Sequence, residues 1–291
     1  MPEKIFRDYD QQELDRQLNL RERWPEHTEF FARWGEDSQA VRDASAVWHE
    51  LAYGDTAGQA LDLFPVPNGV AAAPLLAFIH GGYWQGLDKS DFDYIAPAFL
   101  EKGIAYASLN YDLAPGASIE EMVRQIRRCL AYLHENAGQY GIDAARIFVA
   151  GHSAGGHLAA MAAATDWSAE PGAPPSDLVK GAVSISGVYE LEPLRLSYHN
   201  KVLNLDSDMA RRMSPRGLRP AAAVPLLALV GAEETDEFLR QQRDFSETWR
   251  GLGVKVEAHE LSGLHHFSII DELAAAGSPL FARVRSCVDQ H

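Results

Sequence analysis

The stretch Ile147-Phe148-Val149-Ala150-Gly151-His152-Ser153-Ala154-Gly155-Gly156-His157-Leu158 decides how the chain is read. Its first four residues are apolar and have the character of a buried strand, while the alanine-rich run 158–164 has that of a helix. Between them, Gly151-His152-Ser153-Ala154-Gly155 fits G-x-S-x-G. Strand, tight turn and helix in that order make a nucleophile elbow. The flanking glycines are needed because the turn is sharp, and a Cβ on either side would strike the strand or the helix. The turn lifts the serine hydroxyl clear of the sheet, with a helix N-terminus beneath it to favour developing negative charge. Ser153 is therefore the candidate nucleophile.

Outward from the elbow, short apolar runs recur at 47–53, 60–66, 75–80, 104–110, 181–186, 225–230 and 255–261, giving eight candidate strands with 147–150. The first two are separated only by Gly54-Asp55-Thr56-Ala57-Gly58, which suits an antiparallel hairpin. Later strands alternate with helical patterns such as 119–136, where Met122, Val123, Ile126, Leu130 and Leu133 recur at helical spacing. This alternation predicts an α/β fold: a mostly parallel eight-stranded sheet with helices on both faces. Residues 1–45 are polar and charged, and Pro25 predicts a break into two short helices. They read as an N-terminal helical arm whose Trp24, Phe30, Phe31 and Trp34 pack it onto a catalytic domain spanning 46–291, with entrance lining as the alternative role. The irregular insertions are 168–177 and about 190–220, and the second follows a strand end where it can roof a pocket.

With 291 residues, 46% hydrophobic and 23% charged, the chain has the make-up of one large globular domain with ample core. A formal net charge of −15 argues against nucleic acid and anionic membrane surfaces as partners. Cys129 and Cys287 lie far apart without metal-like spacing, and Cys129 falls on the apolar face of a helical pattern. No apolar stretch resembles a signal peptide or reaches transmembrane length, so a cytoplasmic setting is expected.

A serine needs a base to take its proton, and the base needs an acid to hold it. Behind a nucleophile elbow the acid and the histidine follow in that order. The strand at 225–230 runs into Gly231-Ala232-Glu233-Glu234-Thr235-Asp236-Glu237-Phe238; Glu234 is the first candidate acid and Asp236 the alternative. The strand at 255–261 runs into Ser262-Gly263-Leu264-His265-His266-Phe267. Either histidine could serve; His266, directly before Phe267 and a helix-opening Ser268-Ile269-Ile270, is taken as the base. Adjacent histidines are poor zinc spacing, so no metal or other cofactor is expected. The strand at 75–79 leads into His80-Gly81-Gly82-Tyr83-Trp84, a loop type that supplies oxyanion donors. Gly82 and Ala154 are the principal candidate donors, with Gly81 in support, and His80 is expected to hydrogen-bond within the loop. His157 is read as structural. Tyr83, Trp84, Tyr111, Tyr189 and Phe267 fall at predicted strand ends and suggest an aromatic pocket, with Tyr83, Trp84, Tyr189 and Phe267 as substrate-binding candidates.

Taken together, His80-Gly81-Gly82, Asn110-Tyr111-Asp112-Leu113-Ala114-Pro115 and Gly151-His152-Ser153-Ala154-Gly155-Gly156 resemble the esterases related to hormone-sensitive lipase, within the α/β-hydrolase fold. More narrowly, His80 to Gln85, Gly155 to Met161, Ser186 to Leu194, Glu237-Phe238 and His266 to Ile270 resemble the kynurenine formamidase (arylformamidase) family. The resemblance spans about residues 48–275 and, weakly, the arm around 14–19. It implies hydrolysis of N-formyl-L-kynurenine to formate and L-kynurenine in tryptophan catabolism, without a metal, and a homodimer. The family usually has aspartate at the acid position; this chain has Glu234, which leaves Asp236 open. Other readings are a short-acyl carboxylesterase and, more remotely, a non-catalytic binding protein on a hydrolase scaffold, since fold and triad serve many acyl groups. For a formamidase, the acyl side of the pocket should be small and the leaving-group side wide and aromatic. No residue is legible as a partner for the substrate's amino-acid end.

Overall fold

The apolar runs become eight strands: β1 (Trp48–Ala52), β2 (Ala60–Phe64), β3 (Ala73–Ile79), β4 (Ala105–Leu109), β5 (Ile142–His152), β6 (Val179–Ile185), β7 (Leu226–Gly231) and β8 (Val256–Leu261). The computed structural model describes residues 3–45, 48–67 and 72–290; Val47, expected to begin the first strand, lies outside them, as do Met1 and Pro2. The strands form one sheet in the order β1-β2-β4-β3-β5-β6-β7-β8. The hairpin β1–β2 is antiparallel, β2 runs antiparallel to β4, and every later pairing is parallel. Every residue of β2, β3, β4 and β7 is buried, as strands covered on both faces must be. The chain has the α/β-hydrolase fold.

Twelve helices accompany the sheet among the described residues: α1 (Gln11–Leu18), α2 (Leu20–Arg23), α3 (His27–Ala44), α4 (Ala96–Leu100), α5 (Ile119–Glu135), α6 (Ala154–Ala164), α7 (Glu192–Leu196), α8 (Asn200–Leu203), α9 (Ser207–Arg212), α10 (Asp236–Gly251), α11 (Ser268–Ala274) and α12 (Pro279–Asp289). Helix α5 turns Met122, Ile126, Cys129, Leu130 and Leu133 inward, and burial pushes the Cys129 thiol well above its ordinary pKa. None of these helices is long and apolar enough to cross a membrane.

Two expectations need correction. The arm holds three helices rather than two, because Asn19 ends α1 and its side chain accepts from the backbone N–H of Glu22 to start α2. A one-residue break of this kind leaves no mark on apolar spacing. The segment 190–220 is not irregular but carries α7, α8 and α9. Pro193 sits in the first turn of α7, and the Asp206 carboxylate caps α9 through the Met209 N–H. Each is under two turns, too short for a periodicity to register.

The arm is fastened at both ends of its length. Leu14, Leu18, Leu20 and Trp34 are fully buried. The Trp34 indole N–H donates to Asp271 of α11 at 2.7 Å, and the backbone N–H of Glu237 donates to Gln17 at 3.1 Å. The carboxyl ends of β3, β5, β7 and β8 all open toward this arm's partners, which is where a parallel sheet collects its functional loops.

Candidate active site

At the end of β5, Ser153 adopts φ 56° and ψ −117°, and α6 starts with the next residue. Such a backbone costs a non-glycine residue about 1–3 kcal/mol and persists only when its surroundings enforce it. Here the Ser153 N–H donates to Ile185 at 2.8 Å, and the Ser153 carbonyl accepts from His157 at 3.1 Å. The glycines leave no alternative. A Cβ on Gly151 would lie 2.1 Å from the Gly155 carbonyl oxygen, and one on Gly155 would lie 1.9 Å from that of Ile79.

The loop after β7 delivers Glu234 and the loop after β8 delivers His266, both almost wholly buried. His266 Nδ1 and Glu234 Oε2 lie 2.8 Å apart. Glu234 Oε1 accepts from the Ser186 hydroxyl and from the Gly231 N–H. The carboxylate is thus fixed by three donors, and the ring is fixed by the carboxylate. The neighbouring acids are placed otherwise: Glu233 and Asp236 are exposed, and Glu237 is buried in a pair with Arg240. Between the two candidate acids, the geometry brings Glu234 and not Asp236 to the histidine. His265 turns away and stacks on Trp24 of the arm, centroids 5.1 Å apart, and burial lowers its pKa.

His80-Gly81-Gly82 follows β3. Gly82 has φ 103°, and a Cβ there would lie 2.1 Å from the Gly86 carbonyl oxygen. Gly81 packs directly on the elbow, since its Cβ would lie 3.0 Å from that of Ser153. His80 bridges the Gly81 carbonyl and the Asn110 side chain, 2.9 Å to each, and burial lowers its pKa. The Tyr111 ring stacks on His80 at 4.5 Å and its hydroxyl donates to the His80 carbonyl, so Tyr111 supports the loop from behind.

Ser153, His266, His152 and Gly82 share a cavity of about 30 Å³ with Tyr83, Leu87 and Phe267. The arm closes it with Leu20, Arg21, Phe31 and Trp34. A wider pocket of about 350 Å³ adjoins it, sharing Leu20, Arg21, Gly82 and Tyr83 and adding Asn19, Gln85, Tyr198 and His199. Of the five expected pocket aromatics, Tyr83 and Phe267 line this space, whereas Trp84, Tyr111 and Tyr189 are core. Trp84 is fully buried edge-on to the His157 ring, and Tyr189 stacks on Phe245 with its hydroxyl against Ser184. Both lie just past strand ends, but their side chains turn to the interior. His157 donates to the Met213 carbonyl at 2.7 Å and sits in the same core.

Leu20, Arg21, Leu87 and His152 were not foreseen as lining residues. His152 precedes the serine, and its Nε2 donates to the His266 carbonyl at 2.9 Å, holding the two loops together. Burial drives its pKa far down. Among the described residues no cluster of three or more His, Cys, Asp or Glu side chains could hold a metal ion. Another cavity, of about 390 Å³, lies at the amino-terminal ends of β7 and β8 against α12, lined by Lys255, Glu257, Arg283 and Cys287.

The kynurenine formamidase of Danio rerio is 30% identical over 241 residues, covering 81% of this chain and 80% of its own length. That of Salmo salar is 31% identical, covering 82% and 81%. This chain belongs to the kynurenine formamidase family. The BD-FAE family model matches residues 61–201, the part of this formamidase-family chain from β2 to α8 that contains the His80-Gly81-Gly82 loop and the elbow. A crystal structure from Silicibacter sp. TM1040, provisionally named a thioesterase, is 29% identical with a TM-score of 0.81, covering 93% of this chain and 98% of that one. The family member described here is a hydrolase of the α/β-hydrolase type.

Proposed function

We propose that this hydrolase cleaves aryl formamides, N-formyl-L-kynurenine to L-kynurenine and formate, and so acts in tryptophan breakdown. The observation that carries the reading is the space around Ser153: about 30 Å³ at the serine, beside a pocket of about 350 Å³ that shares Leu20, Arg21, Gly82 and Tyr83 with it. A formyl group is one carbon and one oxygen and needs little room, while a substituted aryl ketone needs the wider side. The names of the fish relatives point the same way.

In this reading Glu234 holds Nδ1–H of His266, leaving Nε2 to take the Ser153 proton. The serine attacks the formyl carbon, and the carbonyl electron pair moves to oxygen. The N–H groups of Gly82 and Ala154, with Gly81 in support, receive that oxyanion. Collapse breaks the C–N bond, and His266 gives its proton to the departing aniline nitrogen. Water, deprotonated by His266, then attacks the formyl ester; formate leaves as the ester C–O bond breaks, and His266 returns the proton to the Ser153 oxygen. The close packing of the Gly81 backbone on Ser153 supports a role for this loop beside the serine.

The test is kcat/KM on N-formyl-L-kynurenine beside p-nitrophenyl acetate, with Ser153→Ala as blank. A strong preference for the formamide is expected. Fast ester cleavage with negligible formamide turnover would move the substrate to short-acyl esters and end the formamidase reading.

A further inference from the structure

The narrow cavity and the wide pocket have one charged side chain in common. Arg21, in α2, lines both. Its guanidinium carbon lies 5.7 Å from the centroid of the Phe31 ring, and Nη2 lies 4.0 Å from where a Cβ on Gly86 would stand. It therefore reaches across the mouth toward the loop that carries Gly82. Among the described residues its guanidinium has no ion-pair or hydrogen-bond partner. Arg16, Arg33 and Arg42 each face a carboxylate; Arg23, like Arg21, rests on a ring, that of Trp24, but it lines neither cavity. The adjacent Glu22 is occupied elsewhere, accepting from the Asn19 side chain at 2.7 Å.

Arg21 is exposed, with its head resting on the Phe31 ring and its backbone flanked by anchored residues. Leu18 and Leu20 are buried on either side of Asn19, and the Tyr83 hydroxyl donates to the Leu18 carbonyl at 2.8 Å. The other groups in the wide pocket carry no charge at neutral pH: Asn19, Gln85, Tyr198 and His199, whose pKa burial lowers to about 4. A lone, positioned guanidinium in an otherwise neutral pocket matches a planar oxyanion, which it can grip with two parallel N–H donors. In a chain of net charge −15, an anionic substrate also needs a local cation to offset the overall repulsion.

We infer that Arg21 is the specificity-determining residue of the leaving-group pocket, and that it selects aryl carbonyl compounds bearing a carboxylate on the side remote from Ser153. The inference deepens the formamidase reading by supplying a partner for the amino-acid end of the substrate. Its arm origin gives the N-terminal helices a direct part in substrate choice.

The test uses a ligand pair that the enzyme cannot turn over: 4-oxo-4-phenylbutanoate and its neutral primary amide, titrated calorimetrically into wild-type protein, Arg21→Gln and Arg21→Ala. Wild type should bind the acid about 10-fold or more tightly than the amide, as a charge-assisted bidentate contact implies. Arg21→Gln and Arg21→Ala should bring that ratio to near one, and 0.5 M salt should shrink it in wild type. An unchanged ratio in the folded Gln variant, or no preference or no binding of the acid by wild type, would overturn the assignment. Because no catalysis is read, failure to hydrolyse N-formyl-L-kynurenine would sink the formamidase reading separately and leave this ratio to decide Arg21.

Discussion

The Tyr83 hydroxyl donates a 2.8 Å hydrogen bond to the carbonyl of Leu18, joining the loop after β3 to the N-terminal arm. Tyr83 also stacks on His199 at 4.0 Å, so one side chain ties together the arm, the Gly82 loop and the segment 190–220. Removing only the hydroxyl, in Tyr83→Phe, should cost about 0.5–1.5 kcal/mol. In a protein this size that lowers Tm by about 1–2.5 °C. Because the arm lines the cavity, KM should rise more than kcat falls. A Tm unchanged and kinetics identical to wild type would show that the bond contributes nothing.

Glu234 and Asp236 separate cleanly by mutation. Glu234→Ala removes the partner of His266 Nδ1 and should lower kcat by about 10³–10⁴, the scale set by misorienting a triad histidine. Asp236→Ala alters an exposed residue in the first turn of α10 and should leave kcat within about threefold. Steady-state kinetics on one shared substrate decide it, and equal mild losses in both variants would refute the assignment of the acid.

Gly82→Ala probes the proposed oxyanion donor. The residue sits at φ 103°, and the added methyl meets the Gly86 carbonyl, so the loop must shift and carry its N–H with it. A loss of about 10²–10³ in kcat with little change in KM is expected. Substrate affinity lost in place of turnover would mean that Gly82 shapes the pocket and donates nothing.

His157 offers a stability test that turns on sign. Burial lowers its pKa to about 4, below the unfolded value near 6.5. Between those values the unfolded chain binds a proton that the folded one refuses, so stability falls as pH drops from about 6.5 toward 4. His157→Gln keeps a donor for the Met213 carbonyl and removes that titration. Denaturant unfolding at several pH values should show the wild type losing about 1.4 kcal/mol per pH unit more than the variant across this window. Parallel curves would show that His157 titrates normally.

Much of the site was legible because its determinants are local. The elbow at Ser153 depends on Gly151 and Gly155, whose clashes arise within a few residues and with the adjacent strand. Alternating apolar runs marked all eight strands, since a sheet covered on both faces demands such runs wherever it is built. Order along the chain then narrowed the acid and base to two short loops. Glu234 and Asp236 stand two residues apart, however, and only packing separates them: Ser186 and Gly231 converge on Glu234, while the start of α10 leaves Asp236 in solvent. Trp84 and Tyr189 sat at strand ends just as Tyr83 and Phe267 did. Whether an aromatic ring there meets a cavity or the core depends on what lies across from it, which neighbouring residues do not encode.

By itself, then, the sequence determined the fold class, the candidate nucleophile and the two loops that face it, because propensity, steric fit and chain order act over short distances. The tertiary structure alone decided that Glu234 meets His266 and that an arm more than a hundred residues before Ser153 closes its cavity. Contacts between such distant segments depend on how buried surfaces match across the fold, and no local pattern records that matching. Arg21 is the clearest case: in the chain it is one cation among 26 Lys and Arg residues, and only the folded arm places it beside the serine.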